Sequence, residues 1–417
     1  MPKTVGIIGL GYVGLPLAAA FCEAGHRVVG VDVEQRKVEM LADGRSPIED
    51  VTDERLAALD GALWPTTRYA ELARAEAVVI AVPTPLTANR EPDLGALVSA
   101  ATELSRVLQK GQLVVLESTT YPGTTRERLV PLLEESGLAA GREFNVAYSP
   151  ERIDPGRADY TLRNTPKVIG GLTATCLERA RELYGEVCDE LVDVTSTEVA
   201  ELTKLLENVF RSVNIALVNE LAMLCDRMDI DVWEVVEAAA SKPYGFMSFR
   251  PGPGMGGHCL PVDPFYLAWR ARQYDRPTEF IELAGEVNQA MPYFCAEKIA
   301  HALNDHGKPV RGSRIAVLGV SYKAGVGDMR ESPALKIMRL LAEWGADLTY
   351  NDEHVPELAE LGLSSEPLDA ALSGCDCAVV VTAHPTLDAR RVVDEAPVVV
   401  DFRGVTRGIT AANLVRL

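Results

Sequence analysis

The fold is decided near the amino terminus by a strand-like run, Thr4-Val-Gly-Ile-Ile8, that leads into Gly9-Leu10-Gly11-Tyr12-Val13-Gly14. Small residues that suit a helix follow up to Ala24, and a second β-rich run, Arg27 to Val31, ends at Asp32. In such glycine spacing the first glycine allows a tight turn, the second lets the backbone approach a pyrophosphate, and the third allows close helix packing. This order predicts a nucleotide-binding βαβ unit rather than a secretory signal, which the uncharged stretch imitates.

The acidic residue that closes the second strand indicates which dinucleotide binds. A carboxylate at Asp32 can accept hydrogen bonds from ribose hydroxyls and repels a 2′-phosphate, which favours NAD over NADP. Arg36 and Lys37 follow closely, and their positive charges would favour NADP. The expected cofactor contacts in this segment are Gly9, Gly11, Tyr12, Val13, Gly14, Asp32 and Lys37.

Composition sets the broad class. The chain has 417 residues, 47% of them hydrophobic, which is enough to bury several cores. Its formal net charge of -19 opposes binding to nucleic acid. Its eight cysteines include no CxxC pair and no histidine at zinc-ligand spacing. We therefore expect reduced, metal-free cysteines, a cytoplasmic location and no membrane partner, although an even count would also permit disulfides.

Two further apolar runs, Ala77 to Val82 and Gln112 to Glu117, lead into threonine-rich turns. Because parallel strands deliver their carboxyl ends to one edge of a sheet, Thr84 and Thr119 are candidate contacts for cofactor or substrate. Threonine beside proline is also ordinary turn chemistry, so these residues alone leave both interpretations open.

A long helical pattern from Thr195 to Met228 predicts a connecting helix. It carries Lys204 and Asn208 four residues apart, hence on one face. Its apolar side is formed by Leu202, Leu205, Leu206, Val209, Val213 and Leu217.

A second helical pattern covers Thr278 to Leu303, and Arg314 to Gly319 then restarts the strand-to-glycine pattern of the amino terminus. The predicted fold is therefore α/β, with two Rossmann-like doubly wound domains joined by a central helical region. The expected boundaries are 1–194 for an NAD-binding domain, 195–303 for the central region, and 304–417 for a carboxyl-terminal α/β domain that binds a second nucleotide.

The least ordinary segment is the loop from Arg250 to Leu260, which holds four glycines and two prolines and cannot form a regular element. It presents Cys259 beside His258 and four residues before Asp263. Thiolate is the reactive form of cysteine, and nearby histidine, lysine or backbone donors favour it. A thiol and a dinucleotide site together suggest oxidation through a covalent aldehyde adduct, whereas an isolated buried cysteine is only a small hydrophobic residue.

With these motifs the chain resembles the nucleotide-sugar 6-dehydrogenases, the family that acts on UDP-glucose, UDP-N-acetylhexosamines and GDP-mannose. The motifs that carry the resemblance are Gly9 to Gly14 with Asp32, Val82-Pro-Thr-Pro, Ser118-Thr-Thr-Tyr-Pro-Gly-Thr, Ser149-Pro-Glu-Arg, Lys204-Leu-Leu-Glu-Asn208, Asn219-Glu, Gly256-Gly-His-Cys259, and Ser321-Tyr-Lys-Ala-Gly-Val-Gly-Asp-Met-Arg330-Glu-Ser-Pro. The resemblance implies oxidation of the C6 alcohol of a nucleotide sugar to a carboxylate with two NAD, by a homodimer or higher homo-oligomer that forms through the central region.

Residue roles follow from the same resemblance. Cys259 is expected to capture the aldehyde as a thiohemiacetal that is oxidised to a thioester, and Lys204 to stabilise the oxyanion. Asp263, Asn208 and Thr119 are similar to residues that position water and the C6 oxygen, and Glu151 to the carboxylate assigned to hydrolysis. Substrate contacts are expected at Glu151, Lys204, Asn208, Arg250, Gly257 and Lys323, and cofactor contacts at Thr84, Thr119 and Arg330.

One detail separates the branches of the family. UDP-glucose enzymes usually read Gly-Gly-Ser-Cys-Phe-Pro-Lys-Asp, whereas this chain has His258 at the serine and Val262 at the lysine, which resembles the UDP-N-acetylglucosamine and UDP-N-acetylmannosamine branch. UDP-glucose or TDP-glucose oxidation, a redox-neutral epimerase or dehydratase, and a nucleotide sensor are the alternatives. A 3-hydroxyisobutyrate-type dehydrogenase would lack the third domain.

Overall fold

The computed structural model describes residues 3–87, 89–153, 159–257 and 260–417. They fall into two compact units, the first made of Met1–Glu207 and Phe265–Arg276 and the second of Asn208–Pro264 and Pro277–Leu417. The three-domain boundaries expected from the sequence stay a prediction. The return of Phe265–Arg276 to the first unit had no counterpart in the sequence pattern.

The first unit is built on an eight-stranded sheet. Its strands are β1 (Thr4–Ile8), β2 (Arg27–Val31), β3 (Leu63–Thr66), β4 (Ala77–Ile80), β5 (Leu113–Leu116), β6 (Asn145–Tyr148), β7 (Lys167–Gly171) and β8 (Leu191–Val194). Their spatial order is β3-β2-β1-β4-β5-β6-β7-β8. Every neighbouring pair is parallel except β6 and β7, which are antiparallel, so β7 begins at the edge where β5 and β6 end.

Helices cover both faces of this sheet, which explains why its central strands are apolar at successive positions. In β4, Val78 and Ile80 pack into one core and Val79 into the other. The helices are α1 (Gly14–Glu23), α2 (Gln35–Ala42), α3 (Asp53–Ala57), α4 (Gly95–Ser105), α5 (Val130–Glu134) and α6 (Ala174–Tyr184), with a 3-10 turn at Tyr69–Arg74 and a π-helical turn at Thr125–Leu129.

The predicted connecting helix is present as α7 (Thr197–Met228), 32 residues long. Its expected apolar side is divided, because Leu205 and Val209 are buried whereas Leu206 and Leu217 are 62% and 55% exposed. The described residues therefore leave a second apolar face of this helix exposed. The helices that follow are α8 (Val232–Ala240), α9 (Asp263–Arg272) and α10 (Glu279–Asp305).

The second unit contains a five-stranded parallel sheet in the order β10-β9-β13-β14-β15. These strands are β9 (Arg314–Leu318), β10 (Asp347–Asn351), β13 (Cys377–Val380), β14 (Val399–Asp401) and β15 (Leu414–Arg416), and β11 (Glu357–Leu358) pairs with β12 (Leu363–Ser364) in a separate antiparallel ladder. Helices α11 (Pro333–Glu343), α12 (Leu368–Leu372) and α13 (Ala389–Glu395) complete it. The predicted class, two doubly wound α/β sheets with a long central helix, is confirmed. No helix in the described parts of the chain combines the length and apolarity needed to cross a membrane.

Candidate functional site

The glycine turn after β1 has the geometry that the motif requires. Gly9 has φ of 94°, a conformation that favours glycine, and a Cβ on Gly14 would lie 1.8 Å from the Gly9 carbonyl oxygen. A Cβ on Gly11 would meet nothing within 4 Å. The first and third glycines are thus fixed by packing within the chain, and the second leaves the turn open to an approaching ligand.

Asp32 is buried beside this turn, and the backbone orients its carboxylate. Oδ2 accepts a hydrogen bond from the Leu10 N–H at 2.9 Å, and Oδ1 accepts one from the Glu34 N–H at 2.9 Å. Lys37 reaches to 3.9 Å of Asp32 Oδ2 but lies closer, at 3.1 Å, to Glu34. Asp32 therefore gives a ribose a hydrogen-bond acceptor in a fixed position. The nearby Lys37 ammonium is already shared between Asp32 and Glu34.

Thr84 and Thr119 follow the neighbouring strands β4 and β5 and are in contact. The buried Thr84 hydroxyl donates to the Thr119 carbonyl oxygen at 2.7 Å. Tyr266, in α9, donates from its hydroxyl to the Thr84 carbonyl oxygen at 2.9 Å. The two loops are thus held together at the carboxyl edge of the sheet.

Glu151 follows β6 at the same edge and is surrounded by donors. Its Oε1 accepts from the Arg152 and Ile153 N–H groups, each at 2.7 Å, and its Oε2 lies 3.4 Å from Lys167 Nζ. Burial opposes ionisation, but Lys167, these two N–H groups and Lys204 together lower the pKa of Glu151 below its ordinary value. At neutral pH Glu151 is a carboxylate.

Lys204 is buried on α7 in the first unit, at 8% exposure. The loop that carries Glu151 is tied to this helix, since Arg152 Nη2 lies 2.7 Å from Glu207 Oε1. Lys204 and Glu151 consequently act on each other electrostatically. This pair supplies a buried cation and an ionised carboxylate, groups that suit an oxyanion and an attacking water.

In the second unit, Asn208 and Asp263 are both buried and joined, because the Asn208 side-chain amide donates to Asp263 Oδ2. Asp263 begins α9, four residues after Cys259. Asn219, also on α7, accepts from the Gly252 N–H at 2.9 Å and donates to Asn288 at 2.9 Å, which fixes the start of the glycine-rich loop.

The glycine pair before the cysteine is packed tightly. Gly257 has φ of 87°, a Cβ there would lie 2.9 Å from the Tyr322 ring, and its N–H donates to the Arg330 carbonyl oxygen at 2.9 Å. The predicted nucleophile Cys259 and its neighbour His258 lie outside the described residues. The seven cysteines that are described are all buried and form no disulfide.

The loop that carries Lys323 is anchored by two buried side chains. Asp352 Oδ2 accepts from the Val320 N–H at 2.7 Å and lies 3.0 Å from His384 Nε2, and His384 Nδ1 accepts from the Gly325 N–H at 3.2 Å. Arg330, farther along, is exposed and forms a two-pronged ion pair with Asp328.

Arg403 follows β14 and was not singled out by the sequence analysis. Its guanidinium forms no hydrogen bond or ion pair with the described residues, and a Cβ on Gly252 would lie only 2.8 Å from its Nη1. Burial lowers the pKa of Arg403; the Asp401 carboxylate opposes this effect, and the positive charge of Arg250 adds a smaller lowering. Two guanidinium groups that repel each other beside a glycine indicate a place for an anion.

The structure therefore divides the expected site residues between the two units. The first holds Gly9 to Gly14, Asp32, Lys37, Thr84, Thr119, Glu151 and Lys204, and the second holds Asn208, Arg250, Gly257, Asp263, Lys323 and Arg330. Arg403 could have been found from its position, since it lies two residues beyond the end of an apolar strand. Lys167 could not, because a lysine before an apolar run looks like an ordinary strand flank.

The first unit fits a dinucleotide. The turn is open at Gly11, α1 begins without a side-chain cap or an acidic residue in its first turn, and Asp32 is held at the end of β2. These features define a Rossmann-type domain that binds NAD. Family models agree, with the NAD binding domain of the UDP-glucose/GDP-mannose dehydrogenase family matching residues 3–188, its central domain residues 198–290 and its UDP binding domain residues 316–408.

Individual proteins match over nearly the whole chain. The UDP-N-acetyl-D-mannosamine dehydrogenase of Escherichia coli (strain K12) is 36% identical, over 97% of this chain and 99% of its own. The structure of a UDP-D-ManNAc dehydrogenase from Pyrococcus horikoshii matches with a TM-score of 0.91 at 32% identity, covering 99% of this chain and 98% of that one. A UDP-glucose dehydrogenase structure from the archaeon Pyrobaculum islandicum matches with a TM-score of 0.89 at 30% identity, covering 100% and 97%. The chain belongs to the UDP-glucose/GDP-mannose dehydrogenase family and is an NAD-dependent nucleotide-sugar dehydrogenase.

Proposed function

We propose that the chain oxidises the C6 alcohol of a UDP-N-acetylhexosamine, with UDP-N-acetylmannosamine the first candidate, to the corresponding uronic acid. Two observations support this substrate. Relatives that match the full length are named UDP-N-acetyl-D-mannosamine dehydrogenases, and the Gly256-Gly-His-Cys259 segment has the histidine of that branch. The likeness to a UDP-glucose dehydrogenase makes UDP-glucose the second candidate.

The chemistry that we propose uses a covalent intermediate on Cys259. Bound NAD would accept a hydride from the sugar carbon at each of two oxidation steps. The Cys259 thiol adds to the aldehyde carbonyl and gives a thiohemiacetal, whose oxidation leaves a thioester. Water then adds to the thioester carbonyl, the carbon–sulfur bond breaks, and the carboxylate and the thiol are released.

The remaining groups assist these steps. The buried Lys204 ammonium would stabilise the oxyanion, and the ionised Glu151 would take a proton from the attacking water. Asn208 and Asp263, hydrogen-bonded to each other, would hold the C6 oxygen and water, together with Thr119. The observation that carries the proposal is that both described flanks of Cys259 are fixed, Gly257 against Tyr322 and Asp263 against Asn208.

For the nucleotide, we propose the second unit as the binding surface. Gly257 and Lys323 would contact the sugar nucleotide, and Arg250 and Arg403 supply the two cations that a diphosphate requires. We assign Arg330 to the cofactor by resemblance alone. Its ion pair with Asp328 would have to open or be shared for this contact to form.

We further propose that the enzyme is a cytoplasmic homodimer or higher homo-oligomer that forms through α7. Eight large apolar side chains on this helix are exposed at intervals of three, four and seven residues, which places them along one stripe. They are Val199, Leu202, Leu206, Phe210, Leu217, Leu221, Leu224 and Met228. A continuous apolar stripe of this length on a globular chain is typical of an interface.

The experiment measures NADH production from UDP-N-acetylmannosamine, UDP-N-acetylglucosamine, UDP-glucose and TDP-glucose, with NADH counted per sugar consumed. Two NADH per sugar and a uronic acid product are expected. A Cys259→Ser variant should lose turnover while keeping its affinity for NAD, and Cys225→Ser, at a buried cysteine with no assigned role, is the matched control. Absence of net NADH with every sugar nucleotide would refute the proposal and favour a redox-neutral reaction.

A further inference from the structure

The antiparallel strand β7 places a lysine where the rest of the sheet ends. Glu117 follows β5 and Glu151 follows β6, so both stand at the carboxyl edge. Because β7 runs against β6, with Tyr148 opposite Gly170, its first residue, Lys167, lies at that same edge. The Lys167 ammonium thus reaches the carboxyl edge from a strand, whose hydrogen bonds hold the backbone more firmly than a loop would.

Lys167 is shared between two carboxylates. Its ammonium lies 3.0 Å from Glu117 Oε1 and 3.4 Å from Glu151 Oε2, and its side chain is 3% exposed. Glu117 is fully buried, accepts a hydrogen bond from the Tyr184 hydroxyl, and has its second oxygen, Oε2, buried without a hydrogen-bond partner among the described residues. Only Glu151 reaches solvent, at 16% exposure.

Such a cluster is poorly suited to stabilising the fold. Taking two carboxyl groups and one ammonium out of water is costly, as the burial-raised pKa of Glu117 reflects, and an apolar group of equal size is often at least as stable in such a place as a buried ion pair. The unpartnered Glu117 oxygen adds a further desolvation cost. Buried charges with this arrangement are found more often where a reactive group must be held in one ionisation state.

We propose that Lys167 is a positioning residue for the reaction: it holds Glu151 ionised and in one orientation, and Glu117 limits its effect by competing for the same ammonium. The inference rests on the proposed function, because it takes Glu151 to be the carboxylate that serves hydrolysis. Lys167 itself contacts neither substrate nor cofactor in this scheme. It acts through Glu151.

The charges around Glu151 determine the sign of each effect. Lys167 and Lys204 favour its ionised form. Burial raises the pKa of Glu117, and an ionised Glu117 disfavours ionisation of Glu151 by mutual repulsion and by drawing Lys167 away. Loss of the Lys167 charge should therefore raise the pKa of Glu151, and loss of the Glu117 charge should lower it. The other titratable or charged groups facing this cluster are Tyr184, Cys188, Arg152 and Glu207, of which Arg152 is paired with Glu207.

The experiment compares the pH dependence of kcat in the full-length enzyme, using the sugar nucleotide that the wild type turns over fastest. In Lys167→Met the acidic limb should move to higher pH by about one unit or more, and in Glu117→Gln it should move to lower pH. Lys167→Arg, which keeps the charge, should restore a limb close to that of the wild type. Lys298→Met is the matched control, since Lys298 is also largely buried and ion-paired, with Asp226, and its limb should not move.

Opposite shifts in the two variants support the inference, because general loosening of the fold would move both in one direction. Limbs that stay in place, or that move together, overturn it. NAD affinity and circular dichroism confirm folding, and if Lys167→Met does not fold, the downward shift in Glu117→Gln and the rescue by Lys167→Arg decide the matter. If the wild type produces no net NADH, the proposed function fails. If the wild type turns over but the acidic limbs of the variants do not move, only this inference fails.

Discussion

The glycine turn after β1 allows binding of the cofactor to be separated from stability. A Cβ at position 11 meets nothing within 4 Å, whereas a Cβ at position 14 would lie 1.8 Å from the Gly9 carbonyl oxygen and 3.1 Å from Ile7 Cγ2. The pair Gly11→Ala and Gly14→Ala therefore adds the same methyl group to an open position and to a closed one, three residues apart.

The magnitudes differ accordingly. Gly11→Ala adds no clash and should change the free energy of unfolding by less than about 1 kcal/mol, toward greater stability, because alanine restricts the unfolded chain. Its methyl group stands where a pyrophosphate would approach the backbone. Loss of one charge-assisted hydrogen bond costs roughly 1.5–3 kcal/mol, which weakens NAD binding roughly 10- to 150-fold. Gly14→Ala must displace α1 from β1 and should lose about 1–3 kcal/mol of stability.

Isothermal titration calorimetry with NAD gives the dissociation constants, and denaturant unfolding followed by circular dichroism gives the stabilities. The expected pattern is weak NAD binding with intact stability for Gly11→Ala, and reduced stability for Gly14→Ala. Wild-type NAD affinity in Gly11→Ala would refute the reasoning about the open face. A loss of stability in Gly11→Ala equal to that in Gly14→Ala would refute the reasoning about packing.

Three other features give predictions of their own. Arg403→Met should raise the KM for the sugar nucleotide about tenfold or more with an unchanged NAD dissociation constant, because it removes from the second unit a cation that forms no ion pair with the described residues. Equal loss of affinity for both ligands would contradict this. Leu206→Glu places a charge on the exposed stripe of α7 and should give a monomer in light scattering, so a persistent oligomer would speak against that interface. Burial raises the pKa of Glu201 from 4.5 to about 7, so the unfolded chain releases this proton at lower pH than the folded chain does, and stability should fall by about 3 kcal/mol between pH 4.5 and 7. A Glu201→Gln variant should show a flatter stability profile across that range, and an equally steep one would contradict the assignment.

The sequence predicted the dinucleotide turn well because its requirements are local. Glycine spacing, the strand before it and Asp32 after it all follow from backbone geometry within about thirty residues, and the observed bounds of β1 and β2 agree with the expectation. The division of the apolar side of α7 could not be read in the same way. Leu205 and Leu206 are equally apolar, and only the surrounding chain decides which of them is covered.

The sequence alone also did not reveal the side chains that contact each other across the sheet. Lys167 reaches Glu117 and Glu151 because β7 reverses direction, and strand direction is set by pairing between segments that are distant in sequence. Arg403 differs, because a charged residue just beyond the end of an apolar strand is visible in the sequence. The role of Cys259 stays a prediction, supported by the glycine-rich loop around it and by the resemblance of that loop to its family.

The return of Phe265–Arg276 to the first unit bears on how the chain folds as it is made. Tyr266 is fully buried and bonds to the Thr84 and Pro85 carbonyl oxygens, and its ring lies near that of Tyr121. A ribosome synthesises from the amino terminus, so the first 207 residues emerge well before the segment that completes their unit. Domains usually fold in order of emergence. Here the amino-terminal unit is complete only after residues 208–264 of its neighbour have also been translated.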